Sequence, residues 1–327
     1  MADGELRILQ KFDLPPFRPL RLWRGGDLQT LRNWLRPPKD ELDQWPGEGY
    51  IFTCHDGSGD RLIAKLHRPT HAARRPLILL VHGLSGSEDS YYCRVSAAHL
   101  LAAGYPVMRL NLRGAGPGRD FAKTTYHAGR SEDVASVIHD LDHKLKRHGI
   151  VVIGFSLGGN VVLKYLAEVG ASADLLGAVS ISAPIDLRAA AHCITSKRNR
   201  LYHAHLIEGM RKERGLDAKD IRTITEYDNR IVAPEAGFRD AEEYYAECSA
   251  APRLGSIRVP TLVIHASDDP WIPVETYGQV HWDDNPYLHL KLPVSGGHVG
   301  FHGIGLDRPW YDLAILRFLD ILRHKAH

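Results

Sequence analysis

The sequence predicts an α/β fold on a mostly parallel central sheet of about eight strands flanked by helices. Short apolar runs of strand length recur along the chain, helical stretches separate them, and glycines punctuate the junctions. The elements follow in order. Residues 1–48 are rich in Pro, Trp and Arg and read as an extended arm with one short helix around Leu28–Leu35, packed on the body by Trp23, Trp34 and Trp45. Tyr50–His55 and Arg61–His67 read as strands joined through Asp56-Gly57-Ser58-Gly59, a hairpin signal. Pro76–His82 is a continuous apolar run of buried-strand type, followed by a helix over Ser90–Ala103 and a strand over Pro106–Asn111. Apolar residues at Val134, Val137, Ile138, Leu141 and Leu145 mark one face of a helix spanning Arg130–Arg147. Strands at Ile150–Ile153, Leu176–Ser182, Thr261–His265 and Leu288–Leu292 follow, with a helix over Ser156–Glu168. Asp307 and Pro309 start an amphipathic C-terminal helix through Leu313–Leu322.

One stretch breaks the alternation. Asp186–Arg253 is polar, helical in character and without a convincing buried strand. The expected organisation is therefore an arm over residues 1–48, a core over 49–185 and 254–327, and a helical cap inserted at 186–253. Tyr202, Met210, Tyr227, Phe238, Tyr244 and Tyr245 in that insertion are candidates to line a pocket or to pack the cap on the body.

Bulk composition narrows the function classes. The 327 residues carry 41 basic and 39 acidic side chains, a net charge of +2, which gives no reason to expect a nucleic-acid or anionic-membrane partner. The four cysteines are scattered and suggest neither a disulfide framework nor a zinc set, in keeping with a reducing, cytoplasmic setting. The longest apolar runs are far shorter than the roughly 20 residues of a membrane helix, so no integral membrane segment is expected. The 19 histidines show no H-E-x-x-H spacing, and neither a metal nor a cofactor is expected. His139, His143 and His148 read as solvated, and His192, His203 and His205 fall in the insertion.

The chemistry concentrates at Ile153-Gly154-Phe155-Ser156-Leu157-Gly158-Gly159. A β-branched strand runs into Gly-x-Ser-x-Gly and then into a helix, the pattern of a nucleophile elbow in an α/β-hydrolase fold. The glycines leave space for a sharp turn, and the helix that begins after Ser156 points its positive end at the serine. A serine hydroxyl needs a base, and in this fold the acid and then the histidine follow it in sequence. Asp268 and Asp269 come directly after the strand Thr261–His265, and Asp269 is preferred as the orienting acid, with Asp268 capping or holding the loop. His298, in Gly296-Gly297-His298-Val299-Gly300, is preferred as the base over His302. The expected oxyanion donors are the backbone N–H groups of Leu157, after the nucleophile, and Leu84, in His82-Gly83-Leu84-Ser85-Gly86. A carboxylate nucleophile, as in dehalogenases, is absent from the elbow.

Seven segments together resemble the YheT-like, ABHD1/ABHD3-related group of α/β-hydrolases. They are Asp27-Leu28-Gln29-Thr30, His82–Ser87 with Tyr91-Tyr92, Asn111–Gly114, Tyr126–Gly129, Gly154–Asn160, Asp268–Pro270 and Gly296–Gly300. In similar proteins a histidine usually precedes Leu-Gln-Thr, where this chain has Asp27. The resemblance implies carboxylic ester hydrolysis, with some members acting on phospholipids or as acyl-CoA:alcohol acyltransferases. Eukaryotic members often carry an N-terminal membrane anchor, and none is expected here. The expected activity is hydrolysis of short- to medium-chain acyl esters through Ser156, His298 and Asp269. Acyl transfer to an alcohol or a lipase-like activity is the alternative, and a non-catalytic binding protein on the same fold a further one.

Overall fold

The computed structural model describes residues 14–71, 74–215 and 220–325. Eight strands form one sheet: β1 (Gly47–Thr53), β2 (Arg61–His67), β3 (Leu77–Val81), β4 (Val107–Asn111), β5 (Ile150–Phe155), β6 (Gly177–Ile181), β7 (Thr261–Ile264) and β8 (Leu288–Lys291). Their spatial order is β1-β2-β4-β3-β5-β6-β7-β8. The opening hairpin pairs antiparallel, as does β2 with β4, and every later pair is parallel.

The apolar runs form strands because both of their faces are covered. Leu77, Leu79 and Val81 of β3 face one side of the sheet, with Ile150 and Val152 of β5. Ile78 and Leu80 face the other, with Val151, Ile153 and Phe155. This is the two-residue alternation of extended backbone, here with both sets buried. The first core is closed by helices α3 (Ser131–Asp140) and α4 (Leu157–Val169). The second is closed by α2 (Tyr91–Ala102) and α8 (Trp310–Lys325). Between β6 and β7 the described residues form no strand; they contain helices α5 (Leu187–Thr195), α6 (Arg200–Arg214) and α7 (Ala241–Cys248). The arm contributes helix α1 (Gly26–Leu35).

Two expectations are corrected. The single helix expected over Arg130–Arg147 breaks at Leu141, which is extended (φ −56°, ψ 133°). The Asp142 side chain then accepts from Lys144 N–H and starts a separate turn, His143–Lys146. An aspartate that can cap a new turn competes with the helix in spite of the apolar spacing. Second, Trp34 packs the arm inward only in part: it is 46% exposed. Its ring leans on His205 and Tyr202 of the insertion as well as on Trp271 of the core.

Among the described residues no helix is long and apolar enough to cross a membrane.

Candidate active site

Ser156, Asp269, His298 and the Leu84 turn come from loops after β5, β7, β8 and β3, so the parallel sheet gathers them at one edge. Ser156 sits at φ 51°, ψ −122°, a conformation disfavoured for a residue with a side chain. The sequence makes room for it. A Cβ at Gly154 would lie 2.3 Å from Gly158 O, and one at Gly158 would lie 2.4 Å from His82 O. Neither position tolerates a side chain, which explains the Gly-x-Ser-x-Gly frame sterically.

His298 Nε2 lies 2.9 Å from Ser156 Oγ, and His298 Nδ1 lies 2.8 Å from Asp269 Oδ2. An ionised carboxylate only accepts, so Nδ1 carries the imidazole proton and Nε2 is the acceptor facing the Ser156 hydroxyl. Burial opposes charge on Asp269, but His298 beside it and the hydrogen bond between them hold its carboxyl below the ordinary value. Its other oxygen accepts from Trp271 N–H (2.8 Å) and Ile272 N–H (3.1 Å). The Trp271 ring stacks on His298 with centroids 4.2 Å apart.

The competing candidates lie elsewhere. Asp268 Oδ1 accepts from Gly297 N–H at 2.9 Å and so touches the histidine loop rather than the imidazole. His302 Nε2 is 2.6 Å from Asn33 Oδ1 and its Nδ1 is 2.7 Å from the Arg32 guanidinium, and it does not line the cavity.

The turn after β3 is pinned on both sides of Leu84. Gly83 N–H donates to Tyr92 OH (2.9 Å) and Ser85 N–H to Tyr126 OH (2.7 Å). Tyr126 OH in turn donates to Glu213 Oε2 on α6 at 2.9 Å. Among the described residues neither Leu84 N–H nor Leu157 N–H has an intramolecular acceptor. A Cβ at Gly83 would lie 3.0 Å from the Ser156 Cβ, so this turn abuts the serine.

A cavity of about 490 Å³ opens over Ser156 and His298. Its lining is mostly apolar and includes Leu187, Ile194, Leu206 and Met210. Of the six aromatic and methionine candidates in the insertion, Met210, Tyr227, Tyr244 and Tyr245 line it. Tyr202 and Phe238 do not. Tyr202 OH is 3.1 Å from Asp27 Oδ1, and the Phe238 ring packs on His127 and Tyr244.

The largest departure from the sequence reading is the arm, to which it assigned no role. Helix α1 buries its polar side chains: Gln29, Thr30 and Asn33 are at most 6% exposed. Thr30 Oγ1 accepts from His298 N–H at 2.8 Å. Asn33 Nδ2 donates to Val299 O at 3.2 Å, and Gln29 exchanges hydrogen bonds with the His302 backbone. Val299 has φ 52°, unusual for a β-branched residue, and the Asn33 and Tyr91 OH bonds to its carbonyl hold it there. The arm therefore grips the histidine loop through Thr30 and Asn33. The Leu-Gln-Thr segment was visible in the sequence as a motif, but nothing local to it pointed to a partner 268 residues away. Tyr92, Tyr126 and Trp271 likewise lie in or beside the recognisable sequence motifs, with no local signal of the bonds and the ring contact they make here.

His55, His139 and Asp140 are close enough to share an ion, but they are exposed and are not among the residues lining the cavity, and Asp140 already contacts both imidazoles.

Comparison with known proteins agrees with the fold. Residues 78–314 match the alpha/beta hydrolase family. The chain is 31% identical over 261 residues to the putative esterase YheT of Escherichia coli (strain K12), covering 76% of each. It is 29% identical over 272 residues to the monoacylglycerol lipase of Saccharomyces cerevisiae, and 29% over 278 residues to the human phospholipase ABHD3. These matches span 76% and 78% of this chain but 59% and 66% of those relatives. Among solved structures, the Pyrococcus furiosus esterase Pf2001 superposes with a TM-score of 0.59 at 19% identity, over 86% of this chain and 91% of that one, a likeness of fold. The chain belongs to the alpha/beta hydrolase family.

Proposed function

We propose that the protein is a serine carboxylic ester hydrolase acting through an acyl-enzyme. The observation that carries this reading is the unbroken hydrogen-bond line Ser156–His298–Asp269 facing a largely apolar cavity. His298 removes the Ser156 proton as the hydroxyl oxygen attacks the ester carbonyl. The Leu84 and Leu157 N–H groups, left without acceptors by their neighbours' bonding, receive the oxyanion. The imidazolium formed is stabilised by Asp269 and gives its proton to the departing alcohol. A water deprotonated by His298 then releases the acid and restores Ser156.

Short- to medium-chain acyl esters are the proposed substrates. A cavity of 490 Å³ falls within the roughly 300–1,000 Å³ range of small-molecule pockets and suits one acyl chain. Residues 186–253 act as a helical cap over the arm-and-core body, since α5, α6 and α7 supply one wall of the cavity. The names carried by the relatives, an esterase, a monoacylglycerol lipase and a phospholipase, support ester cleavage as the reaction class.

The test is turnover of nitrophenyl esters of graded chain length. Activity peaking at short or medium chains and lost in a folded Ser156→Ala variant is the expected result. Full activity in that variant would reject the assignment.

A further inference from the structure

Helix α1 is inverted relative to an ordinary surface helix. Its polar residues Gln29, Thr30 and Asn33 are buried against the histidine loop, while Leu28 and Leu35 turn outward, 42% and 68% exposed. A surface helix normally buries its apolar stripe. Trp34, on the flank of the same helix, is half exposed and also lines the cavity, so it stands at the cavity's rim. Helix α6 contacts α1 through Tyr202. Tyr202 bonds Asp27 and packs on Trp34, and its neighbour Leu201 is 77% exposed.

The charges around this patch are one-sided. From Arg18 to Lys39 the chain carries six basic residues and one acidic residue, Asp27. Asp27 is engaged by Arg198; of the acids that follow, Asp40 and Asp43 are engaged by Arg94 and Glu41 is exposed. Arg21, Arg24 and Arg36 are exposed and have no carboxylate partner among the described residues. A net charge of +2 for the whole chain conceals this local excess. Exposed leucines and a tryptophan edged by arginines are the composition of a segment lying in a membrane interface. Several exposed apolar side chains grouped beside a cavity mouth mark a candidate interaction site.

We propose that the outward face of α1, with Trp34 and Leu201, docks on an anionic phospholipid surface and sets the cavity mouth against it. An acyl ester then passes from the lipid to Ser156 along Trp34 without crossing bulk water. The proposal rests on the ester-hydrolase reading for its purpose, but the docking is measured separately from hydrolysis.

The test is co-sedimentation of the full chain with vesicles of phosphatidylcholine, alone or mixed with phosphatidylglycerol, alongside hydrolysis of a short water-soluble nitrophenyl ester. Binding to the mixed vesicles, weakened by salt and weaker on pure phosphatidylcholine, is expected. A Leu28→Ser/Leu35→Ser variant, altered at positions outside the cavity lining, loses roughly tenfold or more in vesicle affinity and keeps its rate on the soluble ester. Arg21→Glu/Arg36→Glu removes the preference for anionic vesicles. Ser156→Ala binds vesicles like the parent, so failure of the catalytic reading and failure of docking give different patterns. No binding to either vesicle, or undiminished binding by the leucine variant, overturns the proposal. So does a concentration-dependent dimer that the leucine variant breaks without any vesicle binding, since a second copy then covers the face.

Discussion

Thr30→Val removes one oxygen from the arm and leaves the shape of the side chain nearly unchanged. In the parent, Thr30 Oγ1 accepts from His298 N–H at 2.8 Å and donates to Gly26 O at 2.7 Å. Both Thr30 and His298 are buried, 2% and 4% exposed, so water does not replace the lost acceptor. A buried N–H left without a partner costs about 1–3 kcal/mol. Some of that cost appears as lower stability. The remainder appears as displacement of the loop that aims Nε2 at Ser156, and there it raises the barrier to acylation. If all of it fell on the barrier, kcat would drop roughly 5- to 150-fold. Thr30 also lines the cavity, but a methyl in place of the hydroxyl keeps the shape of the lining, so KM should change little. The assay pairs urea unfolding with steady-state hydrolysis of a nitrophenyl ester, and includes Thr30→Ser, which keeps the hydroxyl and should retain the parent's kcat. A Thr30→Val variant within about 0.5 kcal/mol of the parent in stability, with unchanged kcat, would refute the claim that the arm positions His298.

Three further outcomes are expected. Asp269→Asn keeps an acceptor for the Trp271 and Ile272 amides but favours the wrong imidazole tautomer, so kcat should fall by roughly 10³–10⁴ in a protein of near-parent circular dichroism. Tyr126→Phe leaves Ser85 N–H and Glu213 without their shared partner, loosening the turn that presents Leu84; kcat should fall about tenfold, read from initial rates at saturating ester. Asp312 is 1% exposed, accepts only from Ser96 among the described residues, and burial pushes its carboxyl from the ordinary 3.8 up to about 7. An acid with a raised folded-state pKa binds its proton more tightly when folded. Its stabilising contribution is therefore complete below about pH 4 and is lost as pH rises through about 7, an effect of the order of 2–4 kcal/mol. Asp312→Asn should flatten that decline, measured as unfolding free energy at pH 5 and pH 8.

The sequence made the sheet and the candidate residues readable for local reasons. Runs such as Leu77–Val81 and Ile150–Phe155 are apolar on both faces because both faces are covered, and such runs need no knowledge of their partners to be recognised. Ser156 is marked by glycines whose absence of Cβ is required within four residues of it. Asp269 and His298 stand on the loops that follow the last two strands, where a parallel sheet collects its chemistry. The arm was unreadable for the opposite reason. Its helix buries amides and a hydroxyl and exposes leucines, so amphipathic spacing points the wrong face inward, and the polar groups answer to a loop near the other end of the chain. Tyr202 stays open in the sequence between pocket lining and cap packing, because an aromatic in an insertion carries no sign of which surface it meets; in the structure it packs on Trp34 and Trp271. The break at Leu141 shows a single capping aspartate outweighing the apolar spacing of a longer helix.

The central claim is that the Ser156 hydroxyl is made reactive by the imidazole of His298. The most direct measurement is the rate and site of labelling by a fluorophosphonate, mapped by mass spectrometry of the digested protein. The account predicts one phosphonylated residue, Ser156, with labelling slowed at least a hundredfold in a folded His298→Ala variant. Labelling at another residue, or at Ser156 with an undiminished rate when the imidazole is gone, would contradict it.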